Sequence, residues 1–371
     1  MPRRQTSKHR RTNIGLQRFL LLYIIVISIA VCFVVFKLIR DEVRTSKYQA
    51  RYLSAISQQL GFKLTSGPSS SIQYPEYGPY DQRLGYTLLP DVINRLDQSG
   101  YRITSQASFS PMMTELANYG LFNIYHEKTQ AGLHIVDKSD QVIFSAIYPT
   151  YGYPDFKSIP PIILNTLLFI ENRELLNDEN LTINPAIEWD RLGFASLQLM
   201  ANKLGATSSV PGGSTLATQL EKYRHSKNGY TNSVIDKFRQ MGTASLRAYM
   251  MGPNTLEMRQ EIALSYLNSM PLAATPKLGE VHGLGDGLSA WFGADFNRVN
   301  RLLNPDALKT PRQITPQQAK AYRQVLNILL SQRRPSYLLG RGFDALQTLT
   351  DRYLRIMTEQ GVIFLGAFKA S

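Results

Sequence analysis

Eighteen consecutive uncharged residues, Phe19–Phe36, constrain this chain more than any other feature. They read FLLLYIIVISIAVCFVVF and are bounded by Arg18 and Lys37. As a helix the run spans about 27 Å, close to the thickness of a bilayer's hydrocarbon core. A cleaved signal peptide has a shorter apolar core, followed soon by a small-residue cleavage site. Here the run passes into FKLIRDEVRTSKYQARYLSAISQQL, which has a helical pattern. The segment 19–36 therefore reads as an uncleaved transmembrane signal anchor. Residues 1–18 carry six Lys/Arg and no acid, a basic tail that stays in the cytosol by the positive-inside rule. Everything after residue 40 is then expected on the outer face.

The charge balance supports this reading. The chain of 371 residues holds 41 Lys+Arg against 28 Asp+Glu, a formal charge of +13, and much of the excess lies in that tail. Basic charge beside a membrane span is explained by topology and anionic lipid, so no nucleic-acid partner is expected. Hydrophobic residues at 43% permit a packed core and exclude a wholly disordered protein. One cysteine, Cys32 inside the apolar run, excludes a disulfide framework and a cysteine zinc site. Five scattered histidines, with no HxxxH or HExxH pair, argue against a zinc hydrolase, and no protein-ligated metal site is expected.

Beyond the anchor, residues 37–80 read as a helical stalk followed by a Gly/Ser/Pro/Tyr-rich linker, Ser66–Tyr80. Residues 81–155 read as a small α/β region, a spacer or docking surface for other proteins. LLPDVINRLDQSGY has a helical pattern closing at Gly100, RITSQA reads as a strand, and GLHIVDKSDQVIFSAIYP reads as two strands joined at Asp137–Asp140. From residue 156 to 371 the pattern is helical, in PPIILNTLLFIENRELL, SVIDKFRQMGTASLRAYMM, TLEMRQEIALSYLNSM and the last 60 residues. Ser233 with Asp236, and Asn254 with Glu257, have the form of helix starts. The expected fold class is mainly α, behind a transmembrane helix and a small α/β region.

Four segments can carry chemistry. Glu171 follows a long apolar run in Leu167-Leu168-Phe169-Ile170-Glu171-Asn172-Arg173; burial would raise its pKa and suit it to proton transfer, while Arg173 would oppose that. The alternative is an ordinary surface glutamate. Pro211-Gly212-Gly213-Ser214-Thr215 opens a helix with free backbone N–H groups, an anion site that Gln219 and Lys222 could also reach; the alternative is a capped turn. Asp236-Lys237-Phe238-Arg239-Gln240 places two cations around Phe238, which is expected to pack with Val234 and Met241; the alternative is a solvated charged face. Tyr266-Leu267-Asn268 precedes a glycine-rich stretch, 279–287, and Trp291-Phe292-Gly293. His282 in that stretch reads as a structural hydrogen-bonding residue, and the glycines follow no strand pattern.

Taken in order, these segments resemble the peptidoglycan glycosyltransferase domain of glycosyltransferase family 51, found in class A penicillin-binding proteins and monofunctional transglycosylases. The family's Glu-Asp-Arg block is matched by Glu171-Asn172-Arg173. Its Gly-Gly-Ser-Thr block with a following Gln and Lys is matched by Gly212, Gly213, Ser214, Thr215, Gln219 and Lys222. Its Arg-Lys-x-x-Glu helix corresponds to Asp236–Gln240, its Glu-Ile-x-x-x-Tyr-Leu-Asn helix to Glu261, Ile262, Tyr266, Leu267 and Asn268, and its Tyr-Phe-Gly block to Trp291-Phe292-Gly293. The likeness covers roughly residues 156–365. The chain departs from the pattern at Asn172 (Asp in the family), at Glu179-Asn180 (His-Gly), at Asp236 (Arg) and at Gln240, where the family has its second carboxylate; Asn232 stands where the family has an arginine.

The resemblance implies a lysozyme-like glycosyltransferase domain on the outer face of a bacterial inner membrane. It implies lipid II and the nascent glycan strand as partners, besides the bilayer and other cell-wall synthesis proteins at 81–155. The reaction implied is inverting transfer to a sugar 4-hydroxyl with loss of undecaprenyl pyrophosphate, assisted by a divalent cation, Mg or Mn, at the pyrophosphate. Glu171 would be the base, with Asp236 or Gln240 in place of the second carboxylate. Arg173, Gly212, Gly213, Ser214, Thr215, Gln219, Lys222, Lys237, Arg239 and Asn268 would bind substrate. A pyrophosphate leaving group needs charge stabilisation more than a proton, which favours a transferase over a glycosidase. A non-catalytic relative that keeps the groove is the alternative that Gln240 favours. Transpeptidase chemistry is not expected: there is no Ser-x-x-Lys, and the Lys309-Thr310 pair is followed by Pro311. The chain is expected to be either monofunctional or the N-terminal part of a longer protein.

Overall fold

A computed structural model describes residues 8–74, 78–125, 128, 130–189, 193–194, 198, 214–276, 278–304 and 314–363. Helix α1 runs from Lys8 to Thr45. Its segment Phe19–Thr45 is long and apolar enough to cross a membrane, and none of its most apolar window is buried in the protein. Ser46, in the left-handed region (φ 50°), breaks the helix, and α2 follows over Lys47–Ser57. Glu42 stabilises the break by accepting from the backbone N–H groups of Tyr48 (2.8 Å) and Gln49 (2.9 Å), two of the donors a new helix leaves unpaired.

Three two-stranded antiparallel sheets are present among the described residues. Strand β1 (Phe62–Ser66) pairs with β2 (Ser105–Phe109), and between them lie α3 (Pro79–Arg83) and α4 (Leu89–Gln98). Helix α5 (Pro111–Asn118) follows, capped by Ser110. The hairpin of β3 (Ala131–Val136) and β4 (Val142–Tyr148) turns through Asp137–Asp140, where the sequence places it. The described part of the Ser/Pro-rich stretch is tied down: Ser69 N–H donates to Gln106, and Phe109 N–H donates to Ser71 Oγ.

The remainder is helical: α6 (Pro161–Glu171), α7 (Leu216–His225), α8 (Val234–Ala248) and α9 (Leu256–Ser269), then β5 (Pro271–Thr275) and β6 (Gly279–His282). Helices α10 (Gly283–Phe292), α11 (Phe296–Leu302), α12 (Pro316–Ser331), α13 (Pro335–Leu338) and α14 (Phe343–Glu359) complete it. Side-chain caps fix several starts: Ser233 for α8, Asp295 for α11, and a Thr315–Gln318 capping box for α12. The core centres on α12, whose Tyr322, Val325, Leu326 and Leu329 bury against Leu284, Leu288, Leu346 and α6. Tyr322 and Thr166 hydroxyls meet at 2.7 Å, tying α12 to α6. The fold is mainly α, as the sequence leads one to expect.

Two buried polar arrangements fix the parts relative to one another. Asp81 of α3 is fully buried; it accepts from Tyr125 Oη (2.6 Å) and meets His225 Nδ1 (2.9 Å). His225 also faces Glu221 (3.6 Å), which is paired with Arg247 (2.7 Å) and Arg224 (3.3 Å). The small N-terminal region is thus joined to α7 and α8 through compensated buried charges. The approach is close enough to demand Gly78: a Cβ there would lie 1.5 Å from the Arg224 carbonyl oxygen.

The second arrangement is Arg259 of α9, fully buried, which donates to the carbonyls of Leu175 (3.1 Å), Asn177 (2.7 Å) and Asn180 (3.0 Å). It explains why α6 stops at Glu171 although the helical pattern runs on to Leu176. Asn172 turns extended (φ −161°, ψ 90°), and the following backbone wraps around the guanidinium. Replacing Arg259 by Leu leaves three carbonyls without donors. The expected loss is roughly 3 kcal/mol or more, read as a lower urea midpoint with unchanged slope.

Candidate functional site

Helix α6 delivers Glu171 at its last position, only 8% exposed. Each carboxylate oxygen has its own amide donor: Gln219 Nε2 to Oε2 at 3.0 Å and Gln332 Nε2 to Oε1 at 2.9 Å. The donors come from α7 and from the residue that ends α12. Their own carbonyls are held in turn: Gln219 Oε1 accepts from Tyr266 (3.3 Å), and the Tyr223 hydroxyl, 3.3 Å from both Gln219 Oε1 and Gln332 Oε1, shares its one proton between them. Burial raises the pKa of both phenols, with the Glu171 charge adding to the effect, so they remain donors. Arg333 stands 3.9 Å from Glu171 Oε1 with its side chain largely in solvent.

Lys222 lies one turn after Gln219 on α7, its ammonium 4.5 Å from the Tyr223 ring centre. Burial holds it below the ordinary lysine range, and the charge of Glu171 works against that depression. Lys222, Tyr223, Gln332 and Arg333 line a cavity of about 280 Å³. On the other side, Glu171, Asn172 and Arg173 line a second cavity of about 490 Å³. The Arg173 guanidinium stacks on the Phe169 ring at 4.1 Å.

Of the remaining sequence candidates, Gly212 and Gly213 lie outside the described residues. Ser214 accepts from Lys237 Nζ at 2.7 Å, so these two are together. Thr215 is the α7 cap, in a reciprocal box with Thr218, which commits its hydroxyl to the helix start. Asp236 occupies the first turn of α8, accepts from Asn232 N–H (3.2 Å) and stands 3.9 Å from Arg239. Arg239 packs over Gly120 and lines a different cavity with Asp81 and His225. Gln240 is buried; its amide donates to Ser226 (2.9 Å) and Thr231 (3.0 Å) and accepts from Thr231 (3.1 Å). Asn268 spends both ends of its amide on the Tyr153 backbone, 2.8 Å each way. Glu171, Gln219 and Lys222 thus come together, whereas Arg239 and Asn268 face other neighbours.

Phe238 and Val234 do not pack as the helical spacing suggests: both are about two-thirds exposed or more, and no element among the described residues covers this edge of α8. The glycine-rich stretch does follow a strand, β6, and Gly283 sits where a Cβ would be 2.5 Å from the Asn268 carbonyl. His282 is pushed down to about 3 by burial and by Arg83, against a hydrogen bond with the Ser269 backbone, so it stays neutral. Gln332, Arg333 and Tyr223 are site residues that the sequence gives no local signal for, whereas Tyr266 lies in the Tyr266-Leu267-Asn268 segment; Gln332 is 161 positions from the carboxylate it holds. Among the described residues no three His, Cys, Asp or Glu side chains converge on one point.

The transglycosylase family model matches residues 143–332, just over half the chain, and includes Glu171, Gln219, Lys222, Tyr223, Tyr266 and Gln332. No curated protein matches the chain.

The opposed influences on Lys222 make a measurable pair. In ¹³Cε-lysine spectra its resonance is expected to titrate below the other lysines. Glu171→Gln removes the charge that supports the ammonium, so the midpoint moves further down; an upward shift would contradict this geometry.

Proposed function

Because the chain belongs to the transglycosylase family, glycosyltransferases of peptidoglycan synthesis in general, we propose that it polymerises glycan strands from lipid II at the Glu171 site. The observation that carries the proposal is the clamped carboxylate: a buried Glu171 oriented by one amide on each oxygen and flanked by the cations Lys222 and Arg333. A carboxylate accepts a proton from a hydroxyl held within hydrogen-bond reach. The 4-hydroxyl of the acceptor sugar loses its proton to Glu171 as its oxygen bonds to C1 of the donor sugar. The C1–O bond to the undecaprenyl diphosphate breaks on the opposite face, inverting that carbon. The leaving diphosphate takes the electron pair, and Lys222, with Lys237 beside Ser214, stabilises its charge. Gln219 and Gln332 are positioning residues here, since they act through Glu171.

Among the described residues no ligand set for Mg or Mn forms, and a divalent cation in this reaction would be held chiefly by the diphosphate oxygens of the substrate. Helix α1 is taken as the anchor, with the basic tail in the cytosol and the helical body on the outer face of a bacterial inner membrane. Residues 81–155, docked through Asp81, are left to contact other cell-wall synthesis proteins.

A second reading is a non-catalytic lipid II-binding scaffold. It is favoured by Gln240, whose amide is enclosed by Ser226 and Thr231 and supplies no second carboxylate. Full-length protein with labelled lipid II separates the two. Turnover in the wild type, and a loss of about 10³-fold or more in Glu171→Gln with substrate binding retained, is the expected result. Binding with no polymer in the wild type would leave the scaffold. Polymer from Glu171→Gln at near wild-type rate would remove Glu171 as the base.

A further inference from the structure

The cavity beside Lys222 has a wall that comes from outside the family-matched residues 143–332. Pro79 and Tyr80 of α3 line it together with Lys222, Tyr223, Gln332 and Arg333, in a volume of about 280 Å³. Among the described residues that line it, Lys222 and Arg333 are the only ones with a full charge, and both are positive; His282, also in the lining, stays neutral. Tyr80, with Ser269, also lines a wider cavity of about 800 Å³. That one carries both signs, Asp155, Glu257 and Glu261 against Lys157, Arg224 and Arg247. The Tyr80 ring therefore stands between a small cationic pocket and a larger space that holds carboxylates.

This wall is fixed in place. Tyr80 is only 7% exposed, its ring lies under the Arg83 guanidinium at 4.8 Å, and its hydroxyl donates to the Lys128 carbonyl. A Cβ on Gly229 would come within 3.3 Å of Pro79 Cγ, so α3 lies directly against the turn that follows α7. Asp81, next in the chain, makes the buried contact with His225. An opening lid would give up all of these contacts, whereas a permanent wall keeps them. Lys222 is the group that the wall acts on: burial already holds its ammonium below the ordinary lysine range. In a pocket closed to water, a cation attracts an anion more strongly than it does in solvent.

We propose that the small N-terminal region is a built-in part of the pocket for the departing diphosphate, with Pro79 and Tyr80 as positioning residues that close it around Lys222. The proposal deepens the lipid II reading above and rests on it for the reaction; the ligand chemistry it needs is a diphosphate. Opening this wall then costs diphosphate binding, where removing a detachable cover would improve it.

The test uses the full chain in detergent and follows the ¹³Cε resonance of Lys222, assigned by its loss in Lys222→Arg, through a pH titration and a titration with inorganic diphosphate. Diphosphate is expected to shift that resonance in the wild type. Tyr80→Ala joins the two cavities, so the Lys222 midpoint is expected to move up toward the other lysines and diphosphate affinity to fall by about fivefold or more. With lipid II, kcat/KM is expected to fall by about tenfold or more in the same variant. Tyr80→Phe keeps the ring and is expected to recover most of each loss. Tyr101→Ala, at an exposed position of the same region, is expected to change none of these by more than about twofold. Should Tyr80→Ala not fold, Pro79→Ala is expected to move the Lys222 midpoint and the diphosphate affinity in the same directions. No diphosphate response in the wild type, an unmoved Lys222 midpoint or undiminished diphosphate binding in Tyr80→Ala, or equal losses from Tyr101→Ala would overturn the proposal. Tyr80-dependent diphosphate binding in a wild type that makes no polymer would uphold it and remove the transferase reading instead.

Discussion

A carboxylate at the end of an apolar helix would ordinarily turn to water. Here Glu171 stays inside because two glutamine amides meet its two oxygens, and those amides are locked by Tyr223 and Tyr266. Burying an anion is costly unless hydrogen bonds and charge replace its hydration. The donors come from α7 and the end of α12, and the phenols from α7 and α9, so the fold must bring four elements to one point before the acid can stay there. The central placement of α12 follows from that requirement. It carries the core through Tyr322, Val325 and Leu326, and it ends with Gln332 at the carboxylate. Core and site share one helix, and a shift of α12 along its axis would uncover Glu171.

The same economy appears in the loop after Glu171. Arg259 is held inside by three carbonyls, and those carbonyls are in turn kept from solvent by the arginine. Neither partner could be buried alone at acceptable cost. The loop so fixed offers Asn180, Thr182 and Asn184 to the start of the helical body at residues 44–49. On the opposite side, Asp81 and His225 attach the small N-terminal region to α7. Glu171 is therefore framed by two polar joints, one of hydrogen bonds toward the span and one through Asp81 and His225 toward the β1–β2 region, and both form only in the folded chain.

Much of this was legible in the sequence wherever the signal is local. The uncharged run, the Ser233–Asp236 helix start and the Asp137–Asp140 hairpin turn all depend on residues within a few positions of one another. The order of short blocks gave the family because spacing along the chain is preserved even where individual residues are not. What stayed hidden depends on contacts between distant segments. Nothing near Gln332 marks it as a partner of Glu171, and nothing near Arg259 says that it ends α6. Asn268 and Arg239 show the converse. Their positions in the blocks suggest substrate, yet tertiary packing commits Asn268 to the Tyr153 backbone and Arg239 to Gly120.

Gln240 is where sequence pattern and packing bear most directly on the chemistry. Among the described residues its hydrogen-bond partners are neutral: Ser226 and Thr231 accept from the amide nitrogen, and Thr231 can donate to the amide oxygen. A carboxylate at that position would lose the donor that both hydroxyls use and would leave a charge buried beside two weak dipoles. The pocket is thus built for an amide, and the loss of the acid is accommodated structurally instead of being left as a defect. In the reaction proposed above, with no second carboxylate at position 240, charge control at the leaving group is assigned to Lys222 and Lys237. The burial that depresses the Lys222 ammonium is partly offset by Glu171.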